Sequence, residues 1–249
     1  MVCPSPVRAD GAGHDWTRLK WYSAAVWECE REGGAPVAET PRLEIVQIVA
    51  GPIETNLFLV IEKASKRTLI VDAPPDSLAA VEREVEARGL RPELIFITHG
   101  HWDHIGDADA LRARYEIPLL AHEDDRHKLE NPTYGGIQGF SPDRTIADGE
   151  ELALGEVVFK AIHTPGHSPG QVSLYSAEEG IMLGGDTLFP GGYGTIEIPD
   201  ASAEVTVETI RRLLALPDET VVYPGHGVPT TIGAERPWME RVAQTGQLF

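Results

Sequence analysis

The chain has 249 residues, of which 42% are hydrophobic and 24% charged, an ordinary composition for a globular domain with a full core. No run of about 18 apolar residues occurs, so we expect no membrane-spanning helix. The formal net charge of −18 would repel a phosphate backbone, which argues against nucleic-acid binding.

The first 41 residues differ in composition from the rest. Residues 1–14 are rich in Pro, Gly, Ala and Asp and are predicted to be a flexible tail. An aromatic-rich arm follows, containing Trp16, Trp21, Tyr22 and Trp27. The arm either packs on the main domain or serves as a substrate-covering flap or dimer contact, which leaves a homo-oligomer open. A Gly/Pro linker is predicted from Glu32 to Thr40.

The N-terminus lacks a basic segment followed by an apolar core, so no secretory signal is expected. The two cysteines, Cys3 and Cys29, are interpreted as free thiols in a reducing compartment. Both points favour a cytoplasmic location.

Residues 42–249 are predicted to form the main domain, in which strands and helices mix throughout. Strands are predicted at Leu43–Val49, Asn56–Ile61, Thr68–Val71, Leu94–Thr98, Pro118–Ala121, Val157–His163, Val172–Tyr175, Ile181–Leu183 and Val221–Tyr223. Helices are predicted after a cap at Asp76, from Asp103 to Tyr115, after a cap at Asp200 or Ser202, and from Ala234 to Ala243. This mixture indicates a layered α/β fold.

The segment Thr98–His104, T-H-G-H-W-D-H, directly follows the buried strand and holds three imidazoles and one carboxylate. Neutral imidazoles and carboxylate oxygens are ligands of Zn²⁺ and other first-row metals. Three further candidate ligands follow at predicted strand ends in Gly/Pro-rich turns. They are His167 in T-P-G-H-S-P-G, Asp186 in G-G-D-T-L-F and His226 in P-G-H-G. A lone histidine is usually a surface or core residue, and His14 and His127 are assigned to that class. The density of the other ligands predicts a metal centre.

These four motifs, in this order, resemble those of the metallo-β-lactamase superfamily, whose H-x-H-x-D-H motif the first segment matches. The resemblance implies a four-layer αββα sandwich with the site at one edge. It also implies a ligand set: one metal bound by His99, His101 and His167, a second by Asp103, His104 and His226, and both bridged by Asp186. Zinc is expected first, although iron and manganese suit the same donors.

Two cations about 3.5–4 Å apart can share a water and lower its pKa towards neutrality. The resemblance therefore implies a hydrolase in which a bridging hydroxide attacks a carboxyl-type carbon of a small molecule. Asp103 is predicted to orient that hydroxide in addition to binding metal. Tyr193, in the Gly-rich loop after Asp186, is predicted to contact substrate.

The G-D-T-L-F and P-G-H-G motifs are most similar to single-domain glyoxalase II-like thioesterases, so thioesters are expected first and lactones or esters second. Thr195 departs from this branch, because many members have an arginine there.

A mononuclear iron persulfide dioxygenase is the alternative function, although such proteins carry Cys and Arg in the stretch that here spans Phe189–Thr195. β-Lactamase activity is less expected than either of these activities, because true β-lactamases generally lack the bridging aspartate. A structural metal protein ranks last because no ligand is missing.

Overall fold

The computed structural model describes residues 37–133 and 136–249. The predicted tail, the aromatic arm and both cysteines lie outside these residues. The division of the chain after residue 41 therefore stays a prediction. The linker predicted up to Thr40 is wrong at residues 37–39, which form a strand because their backbone pairs with that of residues 44–46.

The first sheet has seven strands that follow one another in chain order. They are β1 (Val37–Glu39), β2 (Leu43–Ala50), β3 (Thr55–Glu62), β4 (Arg67–Val71), β5 (Arg91–Phe96), β6 (Leu119–Ala121) and β7 (Arg144–Thr145). Pairing is antiparallel from β1 to β4 and parallel from β4 to β7. The carboxyl ends of β4, β5 and β6 consequently meet at one edge.

The second sheet is built from the C-terminal half. The remaining strands are β8 (Glu151–Leu154), β9 (Val157–His163), β10 (Val172–Ser176), β11 (Ile181–Gly185), β12 (Leu188–Phe189), β13 (Gly192–Tyr193), β14 (Val221–Pro224) and β15 (Thr230–Thr231). The order in the sheet is β15-β14-β11-β10-β9-β8, while β12 and β13 form a separate hairpin. Because β11 and β14 run parallel, their carboxyl ends also share an edge.

Six α-helices cover the two sheets among the described residues. They are α1 (Leu78–Arg88), α2 (Trp102–Ile105), α3 (Ala108–Tyr115), α4 (Arg126–Glu130), α5 (Ala203–Leu213) and α6 (Ile232–Thr245). Side chains of α1 to α4 pack on the first sheet, and those of α5 and α6 pack on the second.

Three hydrophobic clusters define the layers. The central cluster lies between the sheets and includes Phe58, Phe96 and Phe159. The other two clusters lie between each sheet and its helices. This arrangement confirms the predicted four-layer αββα sandwich.

Two predictions about helix boundaries are wrong for one reason. The helix predicted from Asp103 to Tyr115 is broken into α2 and α3, and Asp76 does not cap α1. The side chain of Asp107, at the break, instead accepts a hydrogen bond of 2.8 Å from the Leu78 amide at the start of α1. Its own amide donates to the Ala73 carbonyl at 2.9 Å. The break thus turns a carboxylate towards the first turn of α1, where orphan amides favour it.

Candidate metal centre

Strand β5 delivers the first ligand motif to the edge of the sandwich. The extended segment Thr98–His101 leaves the sheet, and α2 then begins at Trp102. Asp103 and His104 are buried in the first turn of this short helix. The strand end and the turn together place four potential ligands within six residues.

Six of the seven predicted ligands form two neighbouring groups, and Asp186 lies between them. His99, His101 and His167 form one group, and Asp103, His104 and His226 form the other, with one nitrogen or oxygen of each residue within 4.8 Å of the others in its group. Asp186 Oδ2 is 3.4 Å from His167 Nε2 and 3.6 Å from His226 Nε2, and Asp186 Oδ1 is 3.5 Å from His104 Nε2.

Several of these atoms are buried without a hydrogen-bond partner. Among the described residues, the orphaned atoms include His99 Nε2, His104 Nε2 and Asp186 Oδ1. Leaving a buried polar atom unpaired costs about 1–3 kcal/mol, so three such atoms pointing into one space need an explanation. Cations coordinated by these atoms would satisfy all three, and imidazole with carboxylate is a donor set suited to divalent first-row metals. The residues present therefore fit a metal centre.

Asp72 holds the second group in place from behind. It follows β4 in the left-handed region, at φ 60°, and is buried. His104 Nδ1 donates to its Oδ2 at 2.8 Å, and the amide and hydroxyl of Thr98 donate to its two oxygens at 2.8 and 2.9 Å. Because Nδ1 is occupied, His104 must present Nε2 to the cluster.

Asp125 holds the group of His99, His101 and His167 in place, because it joins the two loops that carry them. Its buried carboxylate accepts from the amides of Gly100 and Gly170 at 2.7 and 2.8 Å and from the Ser168 hydroxyl. One loop carries His99 and His101, and the other carries His167.

Further hydrogen bonds orient His167 and Asp103. His167 Nδ1 donates to the Thr195 carbonyl at 2.9 Å, which leaves Nε2 facing the cluster. The Thr55 hydroxyl donates to Asp103 Oδ2 at 2.9 Å.

Glycine is required at position 225 by close approach. A Cβ there would lie 2.1 Å from Asp186 Oδ1 and 2.7 Å from His104 Cε1. The P-G-H-G motif thus lets the backbone pass directly beside the candidate ligands before presenting His226.

For three of the candidate ligands, the electrostatics favour the protonation states that metal binding needs. Burial holds the pKa of His99 well below its ordinary value, and the charge of His104 adds to this. The pKa of His101 falls to about 2, first through burial and then through the charge of His167. Burial opposes ionisation of Asp103, but His104 outweighs it and keeps the pKa of that carboxyl below its usual range. His99 and His101 are therefore neutral and Asp103 is ionised.

His104 behaves differently, because carboxylates surround it. Burial lowers its pKa, but Asp103, followed by Asp72 and Asp186, outweighs burial and raises it well above the ordinary value. A proton therefore sits among these carboxylates until a cation takes its place.

The structure brings all seven predicted ligand residues together, although their binding of metal stays a prediction. His127 is exposed, as predicted. The Tyr193 hydroxyl donates to the Phe249 carbonyl and accepts from the Phe249 amide, so it is engaged with the last residue of the chain. A substrate contact by Tyr193 stays a prediction.

Sequence reasoning missed the supporting residues Thr55, Asp72, Asp125 and Lys128. The turn containing Asp72 is recognisable, but its carboxylate role requires knowing that β4 and β5 are neighbours. Asp125 and Lys128 lie on a segment with no motif, and no sequence signal could have identified them.

The chain belongs to the metallo-beta-lactamase superfamily, whose pattern matches residues 50–226. Proteins of this superfamily bind divalent metals. The relatives of this chain include hydroxyacylglutathione hydrolases, which are glyoxalase II enzymes.

Individual relatives sharpen the placement. The chain is 31% identical over 202 residues to an uncharacterized protein of Aquifex aeolicus, spanning 77% of this chain and 94% of that one. It is 31% identical over 204 residues to hydroxyacylglutathione hydrolase GloC of Haemophilus influenzae, spanning 78% and 94%. Among solved structures, the BLEG-1 B3 metallo-beta-lactamase superposes with a TM-score of 0.73 at 34% identity, covering 78% of this chain and 96% of that one.

No helix among the described residues is long and apolar enough to cross a membrane.

Proposed function

We propose that the protein is a dinuclear metallohydrolase that cleaves thioesters, and lactones or esters less efficiently. The observation that carries this proposal is the pair of ligand groups joined by Asp186, whose carboxylate oxygens lie 3.4–3.6 Å from imidazole nitrogens of both groups. One metal alone needs three or four ligands, whereas seven converge here.

His99, His101 and His167 would hold one cation, Asp103, His104 and His226 the other, and Asp186 both. When bound, two such cations lower the pKa of a coordinated water towards neutrality and polarise the scissile carbonyl. Zinc, iron and manganese all suit these donors. A di-iron form of one relative, TTHA1623, has been solved, and it is 31% identical to this chain with a TM-score of 0.66.

The protein's own residues supply orientation. Asp103 is ionised and its Oδ2 is fixed by the Thr55 hydroxyl at 2.9 Å, so its carboxylate can accept a hydrogen bond from the attacking water or hydroxide and orient it. Asp72 keeps the His104 imidazole from turning and Asp125 fixes the two loops that carry His99, His101 and His167, which limits the reorganisation needed during reaction.

Thioesters are preferred because a thiolate leaves without first being protonated. The alternative of an iron persulfide dioxygenase is kept as an outcome of the test. β-Lactamase activity is also tested, since the relative BLEG-1 is described as a B3 metallo-beta-lactamase.

A substrate panel with metal quantification tests the proposal. Protein purified without chelator is assayed with acyl and hydroxyacyl thioesters, lactones and β-lactams, and oxygen uptake is recorded with a persulfide. We expect thioester cleavage to dominate and activity to rise with pH around an apparent pKa of about 7. Oxygen consumption with the persulfide and no cleavage of any carbonyl compound would establish the dioxygenase instead.

A further inference from the structure

Lys128 is a buried cation beside the first ligand group. It lies on α4, its residue surface is 9% exposed, and its Cβ would be 2.7 Å from a Cβ at Gly100, so its stem packs tightly against the ligand loop. Its ammonium lies 3.4 Å from His101 Nε2. Of the described lysines and arginines, it is the one whose charged group lies within hydrogen-bonding distance of a candidate ligand.

The ammonium lacks a strong acceptor in this position. His101 Nδ1 lies 2.9 Å from His167 Nε2, so Nδ1 is the atom that faces the ligand group. When Nδ1 serves as a ligand, Nε2 carries the ring proton and cannot accept a hydrogen bond from Lys128. The nearest carboxylate oxygen, Asp200 Oδ2, is 3.7 Å away on a side chain that is 54% exposed. With His101 Nδ1 bound to a metal, this buried ammonium therefore has the Asp200 oxygen at 3.7 Å as its nearest acceptor among the described residues.

Position 195, whose carbonyl contacts His167, supplies no cation that could take the place of Lys128. Thr195 stands where related thioesterases have an arginine, and its polar atoms are engaged: its carbonyl accepts from His167 and its hydroxyl from the Glu197 amide. Lys128 reaches the site from α4 and supplies a positive charge there, beside His101. In a chain with a net charge of −18, a buried lysine at the candidate site is not part of a general basic surface.

We propose that Lys128 binds a carboxylate of the substrate, located within a few bonds of the scissile carbonyl, and so makes the site selective for acidic acyl groups. This inference rests on the proposed hydrolase function for its catalytic meaning. One imidazole ring separates the ammonium from the nitrogen that faces the ligand group, so the acidic group and the scissile carbonyl belong to one small molecule.

Binding of product-like acids tests this proposal without depending on hydrolysis. Malonate, succinate and glutarate are each compared by calorimetry with the monocarboxylate of equal carbon number, using metal-loaded protein. For at least one pair we expect the diacid to bind about tenfold more tightly, as for a hydrogen bond to a charged group. Lys128→Met should remove this difference, and Lys128→Arg should restore part of it. Lys160→Met, which removes an exposed lysine on β9, should leave it unchanged.

Hydrolysis rates show whether Lys128 selects acidic substrates or only supports the structure of the site. In S-phenyl thioesters of the same acids, the ratio of kcat/KM for acidic over neutral acyl groups should fall about tenfold in Lys128→Met, mainly through KM. If no diacid binds more tightly than its monoacid, or if Lys128→Met keeps the difference, the proposal is overturned. If the diacid preference depends on Lys128 but no thioester is cleaved, anion recognition stands and the proposed hydrolase function fails.

Discussion

Two ends of the β-sandwich treat buried polar groups in opposite ways. At the edge where β4, β5 and β11 end, His99 Nε2, His104 Nε2 and Asp186 Oδ1 are buried without partners. At the opposite edge, the turn between β10 and β11 carries Glu179, whose side chain is 1% exposed and whose oxygens accept from Arg42 Nε at 2.7 Å and from the Thr40 hydroxyl.

This difference indicates that the Glu179 carboxylate stabilises the fold, whereas the candidate ligands are arranged to bind a cation. Glu179 ties the second sheet to the start of β2 in the first sheet and has donors for both oxygens. His104 instead carries its hydrogen bond on the far side of its ring, to Asp72, and leaves Nε2 unpaired on the side that faces the other candidate ligands. Such a pattern stabilises the protein only when a cation fills the space.

The largest expected effect comes from removing a ligand. His101→Ala or Asp186→Ala should lower hydrolysis more than about 100-fold, because removing only an outer partner of a metal ligand already costs about 10–100-fold. Each metal-free variant should keep the circular dichroism spectrum of the metal-free unmodified protein, because neither side chain belongs to the hydrophobic clusters that hold the layers together. His127→Ala removes an exposed histidine and serves as the control. Near-normal hydrolysis in either ligand variant would remove that residue from the metal centre.

A smaller effect is expected from the residue that joins the two ligand loops. Asp125→Asn places an amide where two backbone N–H groups and the Ser168 hydroxyl donate, so one donor faces another. We expect about 10–100-fold weaker metal affinity, measured by competition with a chromogenic chelator. The exposed neighbour Asp124→Asn should bind metal as the unmodified protein does. Equal affinity in both variants would show that the loops hold their positions without Asp125.

The candidate ligands could be predicted from the sequence, whereas the residues that support them and those at the opposite edge could not. The ligands could be predicted because their residue types cluster in short motifs at strand ends, and buried apolar runs predicted the strands themselves. Asp125 and Glu179 could not, because their partners are 25 and 45 residues away for the first and 137 residues away for the second. The split between α2 and α3 was missed for a similar reason, since Asp107 turns to meet α1, a contact that no local pattern records.

The opposite edge should respond in stability rather than activity. Glu179→Gln removes a buried charge from its donors and should lower the free energy of unfolding by about 1–2 kcal/mol with unchanged hydrolysis. Burial works against its ionisation, but hydrogen bonds from Thr40 and Arg42 outweigh it and lower the pKa of Glu179 below 4.5. Because the folded-state pKa is depressed, this stabilisation is present above pH 4.5 and is lost as the pH falls through the folded-state pKa.

Urea denaturation at pH 7 and below pH 4.5 measures both the loss and its pH dependence. Glu178→Gln is the matched control, since Glu178 contacts the same arginine with a side chain that is 67% exposed. A difference between the Glu179→Gln variant and the unmodified protein that persists undiminished in acid would show that charge is not what Glu179 contributes.

Metal stoichiometry tests the central claim most directly. Protein purified without chelator and then supplemented with zinc, iron or manganese is desalted and measured by elemental analysis against its amino-acid content. Two ions per chain are predicted, because two ligand groups converge and share Asp186. A stable maximum of one ion per chain under all three metals would contradict the dinuclear account.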